Sequence, residues 1–276
     1  VQDGDGRLVA VIGAGPAGME AAVTLKQRGF DVVVFDKRDE IGGNLHVAKK
    51  PPFKGKFEWA IDYYKSMAKK LNITMKLGKE VTAQEVLALK PYSILVATGS
   101  NVISIPLEGL DQVQTVQAHD VLANDMQFAN KKVVDIGGGI TGLETALYIN
   151  RQGTNQVSVV DMLPEWPVDM LDMRYQNEAL LEVRHCNDQG VALFYNNKVV
   201  KFADGKLFIE STKDGEVKEL PADVIVLSVG VKPNDALWQE LLASGHPSVW
   251  KAGDAIATGK INKAVLHGSK FGYSLN

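Results

Sequence analysis

Several short stretches of this chain are apolar without alternation: Leu8–Ile12, Asp31–Phe35, 93–97, Lys132–Ile136, Gln156–Val160 and 223–230. Runs of that length, apolar at successive positions, predict strands buried on both faces, as in parallel sheets. Helical periods lie between them. In 57–71 the residues Phe57, Ile61, Tyr64, Met67, Ala68 and Leu71 recur at steps of three and four, which predicts an amphipathic helix. Helices are also predicted over 17–28, 143–152, 170–184 and 262–273, with further strands at 73–77, 191–195 and 250–252. Only 199–202 and Lys206–Ser211 alternate at period two, across Ala203-Asp204-Gly205, and Lys213-Asp214-Gly215-Glu216 is a second hairpin signal, so a small antiparallel ribbon is expected there. Pro51-Pro52 argues against helix in 49–56.

One pattern occurs twice, about 124 residues apart. Val9-Ala10-Val11-Ile12-Gly13-Ala14-Gly15-Pro16-Ala17-Gly18 is answered by Val133-Val134-Asp135-Ile136-Gly137-Gly138-Gly139-Ile140-Thr141-Gly142. Each copy leads from strand through a glycine turn into a helix that closes on a glycine, Gly29 or Gly153, and each next strand ends on an acid, Asp36 or Asp161. The residue types follow from the chemistry of a dinucleotide. The first glycine makes the tight turn, the second lets backbone approach a pyrophosphate, and the third permits close helix–strand packing. Unpaired amides at the helix N-terminus face the phosphates, and the acid accepts hydrogen bonds from a ribose diol. Gly18 to Asp36 spans 18 positions and Gly142 to Asp161 spans 19, close to the ~20 such a site needs. Either copy alone is also compatible with a ligand-free βα turn; two copies in phase predict two dinucleotide sites.

The fold expected is therefore α/β, with two Rossmann-like domains of parallel sheet and small antiparallel ribbons, the second domain inserted into the first. Linker signals at Ile105-Pro106 and Ser244-Gly245-His246-Pro247 place the first domain at 1–105 and 248–276 and the second at 106–247. With 276 residues, 45% hydrophobic, the chain has the length for two such cores. A net charge of −3 gives no electrostatic case for nucleic acid or membrane partners, and no apolar run reaches membrane-spanning length. Residues 1–7 do not read as a signal peptide. The single cysteine, Cys186, rules out an internal disulfide, a two-cysteine redox pair or a cysteine-held cluster within these residues, and it is expected to be an unreactive thiol. These features fit a reducing cytoplasm. The five histidines are scattered, and no metal site is expected. Asp135 stands where the first copy has Val11; an edge position or a buried hydrogen bond would accommodate it.

Gly13-Ala14-Gly15-Pro16-Ala17-Gly18, Asp36, Gly42-Gly43, Ala97-Thr98-Gly99, Gly137–Gly142 and Gly253-Asp254-Ala255, in this order over nearly the whole chain, resemble the two-dinucleotide-binding-domain flavoproteins. Gly42-Gly43-Asn44-Leu45, Pro51-Pro52-Phe53-Lys54, Gly138–Glu144 and Gly259-Lys260-Ile261 are most similar to the C-terminal half of multidomain NADH:flavin oxidoreductases, the branch of dienoyl-CoA reductase, trimethylamine dehydrogenase and related NADH oxidases. The resemblance implies FAD in the first domain and NADH or NADPH in the second. It places the FAD pyrophosphate on Gly13, Gly15, Pro16, Ala17 and Gly18, the adenosine ribose on Asp36 with Lys37 beside it, and the ribityl and flavin side on Gly42, Gly43, Asn44 and Leu45. Val81 would meet the adenine through its backbone, Ala97, Thr98 and Gly99 would border the site, and Gly253 with Asp254 would meet the ribityl or pyrophosphate region. Such flavoproteins usually carry glutamate at the first acid; the shorter Asp36 implies a looser or water-mediated ribose contact. The helix near Ile261 would aim its positive end at the flavin.

The same resemblance places the nicotinamide nucleotide on Gly137, Gly139, Ile140, Thr141 and Gly142, with Gly230 bordering it. It directs Glu144 to the nicotinamide end, although a solvated acid near the helix start is an equal reading of that residue. Asp161 favours NADH over NADPH, because it pairs with a 2′-hydroxyl and repels a 2′-phosphate. The activity implied is hydride transfer from NADH to FAD with electrons passing to another domain or acceptor, needing no protein acid, base or nucleophile. Disulfide reduction is rejected for want of paired cysteines. An N-terminal barrel carrying FMN and an iron–sulfur cluster is the implied partner, which makes these residues a fragment, an isolated domain or a free-standing electron-input module. A rival stays open: a module that binds ADP in the first site without redox turnover.

Overall fold

The computed structural model describes residues 2–164 and 173–276, with only the backbone at 173–176. In chain order the elements are β1 Leu8–Ile12, α1 Pro16–Gln27, β2 Asp31–Phe35, α2 Leu45–Ala48, α3 Phe57–Lys70, β3 Thr74–Lys76, α4 Ala83–Ala88, β4 Ser93–Val96 and β5 Ser100–Val102. They continue with β6 Gln114–Gln117, α5 Ala118–Ala123, β7 Lys132–Ile136, α6 Ile140–Asn150, β8 Gln156–Val160, α7 Met173–Asp188, β9 Ala192–Phe194, β10 Asn197–Ala203, β11 Lys206–Ser211 and β12 Val217–Pro221. The last are β13 Val224–Leu227, β14 Val231–Pro233, α8 Ala236–Ala243, β15 Val249–Lys251 and α9 Ile261–Ser274. Residues 170–172 of the helix predicted over 170–184 lie outside the described residues. No helix among the described residues is long and apolar enough to cross a membrane.

The chain forms two units: 1–49, 56–101 and 231–276 make the first, and 50–55 with 102–230 make the second. The first contains a five-stranded parallel sheet in the order β15-β4-β1-β2-β3. Because its strands are apolar at successive positions, both faces are covered. Val9, Val11, Val32, Val34 and Leu95 pack with residues of α1, α3 and α9. Ala10, Ile12, Val33, Phe35, Ile94 and Val96 pack with α4 and α8. The second unit repeats the plan with β6-β13-β7-β8-β9, also parallel. One face is covered by α5, α6 and α7. On the other, Phe202, Leu207 and Ile209 of the antiparallel sheet β10-β11-β12 lie against Val134, Ile136, Val160, Ile225 and Leu227. The two hairpin signals, at 203–205 and 213–216, join the three strands of this ribbon.

The division differs from the sequence expectation at three places. The later crossing falls at 230/231 rather than at 247/248. Leu241 of α8 is fully buried among Ile94, Val96 and Val86 of the first unit, and full burial of a leucine stabilises by roughly 1.5–3 kcal/mol. Asn234 reinforces the assignment: its amide donates to the Gly99 carbonyl (3.0 Å), and its own carbonyl accepts from Thr98 Oγ1 (2.6 Å). The earlier crossing falls at 101/102 rather than 105, and residues 50–55, expected in the first domain, belong to the second unit.

In the first sheet the chain runs from β1 to β3 and resumes on the other side of β1 at β4. In the second, after the edge strand β6, it runs from β7 to β9 and resumes on the other side of β7 at β13, so neighbouring loops diverge between β1 and β4, and between β7 and β13. In open α/β sheets the crevice at the carboxyl ends of such a strand pair is where ligands bind.

Candidate nucleotide cradles

The two crevices are built by the same hydrogen bonds. After β1 the Gly13 amide donates to Phe35 O (2.7 Å) and the Ala97 amide to Ile12 O (2.7 Å); after β7 the Gly137 amide donates to Val160 O (2.8 Å) and the Ser228 amide to Ile136 O (2.8 Å). In the turns themselves, the glycines divide into two kinds. A Cβ on Gly18 would lie 1.9 Å from Gly13 O, and one on Gly142 would lie 1.8 Å from Gly137 O, so these positions exclude any side chain because helix and turn touch there. Gly15 and Gly139 are different: among the described residues the first meets only the Gly43 Cα, at 3.9 Å, and the second nothing within 4 Å. Both are extended N-cap residues, at φ −78° and −71°, which any residue could adopt. Neither helix has a side-chain cap or an acid in its first turn. Uncapped amides above open backbone make an anion seat with room for a pyrophosphate.

Each acid closes its own turn. Asp36 Oδ2 accepts from the Ala14 amide (2.6 Å) and Oδ1 from the Arg38 amide (2.8 Å). Asp161 Oδ2 accepts from the Gly138 amide (2.6 Å) and Oδ1 from the Leu163 amide (2.8 Å). A carboxylate has about four acceptor sites, so two remain in each case for a ribose diol. The repeat extends to a third segment that sequence reading missed. Asp36 N donates to Lys76 O, Gly78 N to Arg38 O and Lys79 N to Asp36 O. Asp161 N donates to Phe194 O, Asn196 N to Leu163 O and Asn197 N to Asp161 O. Leu77 and Tyr195 are therefore equivalent positions.

Around the first cradle the structure gathers most of the expected residues. Gly42 N donates to Ala14 O (2.9 Å), and a Cβ on Gly43 would lie 2.8 Å from Gly15 Cα, so this turn lies against the glycine loop. Arg38, not expected from sequence, braces it by donating Nη1 to Gly43 O (2.7 Å). Pro16 and Ala17 open α1, and Gly253 adjoins Ala17, since its Cβ would lie 3.0 Å from the Ala17 Cβ. Asp254 accepts from the Gly259 amide (3.1 Å) and Ser100 Oγ (3.4 Å), and burial raises its carboxyl above the usual range. Lys37 is exposed on the turn after β2, and Asn44 is exposed before α2. Leu45 and Val81 have side chains buried in the core, which leaves only their backbone to line a ligand. Ala97 and Thr98 follow β4, with the Ala97 carbonyl under Gly13.

In the second cradle Ile140 is buried, Thr141 is exposed and Gly230 accepts from the Ile103 amide. Glu144 is not a solvated acid. Its side chain is 14% exposed and pairs at 2.8 Å with Lys54 Nζ, which also meets Glu178 at 2.6 Å and Glu182 at 4.0 Å. Burial pushes the Glu144 carboxyl up against the pull of Lys54, while the two hydrogen-bonded glutamates raise the Lys54 ammonium despite its own burial. Beside Lys54, Phe53 adopts φ +67°, its ring 5.1 Å from that of His185 and 4.5 Å from the Arg151 guanidinium. A bulky residue in the left-handed region persists only where its surroundings hold it. Cys186 is fully buried and its thiol is pushed up to about 12, as expected of an inert cysteine.

Asp135 is neither at an edge nor hydrogen-bonded. β7 is the central strand, the side chain is fully buried, and among the described residues neither carboxyl oxygen nor the neighbouring Ser228 Oγ finds a partner at hydrogen-bond geometry. Burial raises its pKa well above the carboxylate range despite the Ser228 hydroxyl. The equivalents in the first cradle are Val11 and Ala97. An unsatisfied buried polar group destabilises by about 1–3 kcal/mol, so Asp135→Val is expected to raise the melting temperature by several degrees. A raised acid loses stability as pH climbs above its unfolded value near ~3.9. The gain should thus be larger at pH 7 than at pH 4; thermal denaturation at both pH values, with no gain at pH 7, would show the carboxyl to be satisfied.

A family model described as pyridine nucleotide-disulphide oxidoreductase matches residues 7–267. The chain is 31% identical over 275 residues to an NADH oxidase of Thermoanaerobacter brockii, covering 97% of this chain and 41% of that protein. It is 35% identical over 226 residues to a bilirubin reductase of Mediterraneibacter gnavus, covering 82% of this chain and 34% of the relative. Among solved structures, 2-naphthoyl-CoA reductase in complex with 2-naphthoyl-CoA is similar at a TM-score of 0.88 with 29% identity, over 98% of this chain and 40% of that one. The chain thus spans well under half of the length of these relatives, and in 2-naphthoyl-CoA reductase it corresponds to the C-terminal part.

Proposed function

The chain belongs to the pyridine nucleotide-disulphide oxidoreductase family, and on that premise we propose that it is the NADH-accepting flavin module of a larger oxidoreductase. The first cradle holds FAD and the second holds NADH; when bound, the two rings supply the hydride-transfer chemistry themselves. The chain's own residues bind and orient. Gly15 and Gly139 leave room for a pyrophosphate, the uncapped starts of α1 and α6 supply the amides, and Asp36 and Asp161 accept from the ribose diols. Glu144 addresses the nicotinamide end. The observation that carries this reading is the pair of open Cβ positions at Gly15 and Gly139, each beside a glycine that has no room at all.

Asp161 supports NADH over NADPH, since a carboxylate beside the ribose repels a 2′-phosphate. Electrons then pass to another domain, for which a barrel with FMN and an iron–sulfur cluster is the partner implied by resemblance. The greater length of the relatives supports such a partner. The single cysteine cannot hold a cluster or form a redox disulfide within the chain. Extraction of the purified protein and mass spectrometry of the nucleotide, with an anaerobic NADH titration, tests the proposal. FAD released in about one equivalent and bleached by NADH is the expected result; ADP alone and no flavin absorbance would establish a nucleotide-binding module without turnover.

A further inference from the structure

Resting on the reading of the second cradle as a nicotinamide-nucleotide site, we infer that Tyr195 is the residue that discriminates at the adenosine ribose, and that Gly138 is glycine to make room for it. The two cradles share the hydrogen bonds of the glycine turn, the acid and the third segment, so each of these positions has an internal control. Where the first has Ala14 and Leu77, the second has Gly138 and Tyr195. The exchange is coupled by volume. A Cβ on Gly138 would lie 2.8 Å from Tyr195 Cε1, closer than real Cβ atoms come, and 3.0 Å from the Asp161 Cβ. Gly138 is not needed for the turn itself, because Ala14 makes the same turn with a Cβ and donates the same amide bond to its acid.

The large side chain is therefore an addition made at the ribose end of one cradle only. Tyr195 and Asp161 flank Gly138, and the Tyr195 hydroxyl reaches Gly138 O at a long 3.4 Å. The Tyr195 backbone is fixed: the Asn197 amide donates to the carbonyl of Asp161 itself, the Asn196 amide to Leu163 O two residues on, and Asn197 Nδ2 donates to Tyr195 O (2.8 Å). An aromatic side chain beside a carboxylate suits one chemical choice, the adenosine ribose with a free 2′-hydroxyl, and narrows the space a 2′-phosphate would need. The first cradle, read as an FAD site, faces no such choice and carries a leucine.

Binding of ADP-ribose and 2′-phospho-ADP-ribose to the whole chain tests this without any catalytic readout. In the wild type, ADP-ribose should bind the more tightly. Tyr195→Leu should lower that preference by about tenfold, an amount within reach of one contact in a pocket, with the melting temperature and flavin content unchanged. Gly138→Ala should weaken both ligands by about tenfold or more, and Gly138→Ala with Tyr195→Leu, the pair found in the first cradle, should recover ADP-ribose binding to within about threefold. An unchanged preference in Tyr195→Leu, or a Gly138→Ala defect that persists in the double variant, overturns the inference while leaving the cradle assignment intact. A wild type that binds neither probe removes the assignment itself and the inference with it.

Discussion

Gly139→Arg is expected to abolish NADH binding while leaving the fold and the flavin content intact. The position is an extended N-cap residue whose Cβ meets nothing within 4 Å among the described residues, so neither backbone strain nor a clash with them opposes a side chain there. The space it would enter is the one proposed for the pyrophosphate, above the uncapped amides of α6. A loss of at least ~100-fold in affinity, about 2.7 kcal/mol, is the expected scale. The informative comparison is Gly142→Ala, three residues on, whose added Cβ would lie 1.8 Å from Gly137 O. That smaller change should destabilise the whole second unit, because turn and helix must separate to admit it. Binding and folding are thus divided between two glycines of one turn, and titration with NADH alongside thermal unfolding reads them apart. Gly139→Arg protein that is still bleached by NADH at wild-type concentrations would mean the two cradles have been assigned the wrong ligands.

The twin cradles were legible because their physics is local. A strand, a glycine turn, a helix start and an acid at fixed spacing lie within about thirty residues, and every one of those steps is recorded in the type of residue used. The parallel sheets were legible for a similar reason: unbroken apolar runs tolerate only positions covered on both faces. Contacts made over long sequence distances were harder to read. Tyr195 is 34 positions beyond Asp161 and its turn has no glycine to mark it, so the equivalence with Leu77 emerges only from the hydrogen bonds. α8 sits in a stretch read as the inserted domain because composition marks a linker at Gly245 and Pro247, whereas the first unit claims the helix through Leu241.

The 50–55 segment is the clearest case. Two prolines signalled a loop, and nothing in the residues themselves showed that Lys54 would be surrounded by three glutamates from α6 and α7. Glu144 and Asp135 also share a lesson. Each is an acid where position alone suggested exposure or an edge; Glu144 is largely buried with a cation beside it, and Asp135 is fully buried with only the Ser228 hydroxyl near it. Charge pairing is set by tertiary packing, which the spacing of charges along the chain does not encode.

Lys54→Met is accordingly expected to be among the most destabilising single changes in the second unit. The Lys54 side chain is 18% exposed, and its partners Glu144, Glu178 and Glu182 are 14%, 32% and 6% exposed. Removing one partner of a buried pair leaves the other charge uncompensated and typically destabilises by 3–5 kcal/mol; with partial exposure here, about 3 kcal/mol is expected. The pH dependence gives the mechanism away. In the wild type the raised Lys54 contributes stability that is present at neutral pH and is lost only as pH climbs through its folded value. In the variant, the Glu144 carboxyl, already raised by burial, loses the cation that opposed that shift. An acid raised above its unfolded ~4.3 binds a proton in the native state that the unfolded chain does not, so stability falls as pH rises through that window. The deficit should be largest near pH 8 and should shrink toward pH 5. Glu144→Gln in the Lys54→Met background should recover part of it at pH 8, since a neutral amide needs no counter-ion. Denaturant midpoints at the two pH values decide the matter: equal deficits at both, or no recovery in the double variant, would mean that Lys54 contributes through packing of its stem and the Phe53 ring beside it rather than through charge.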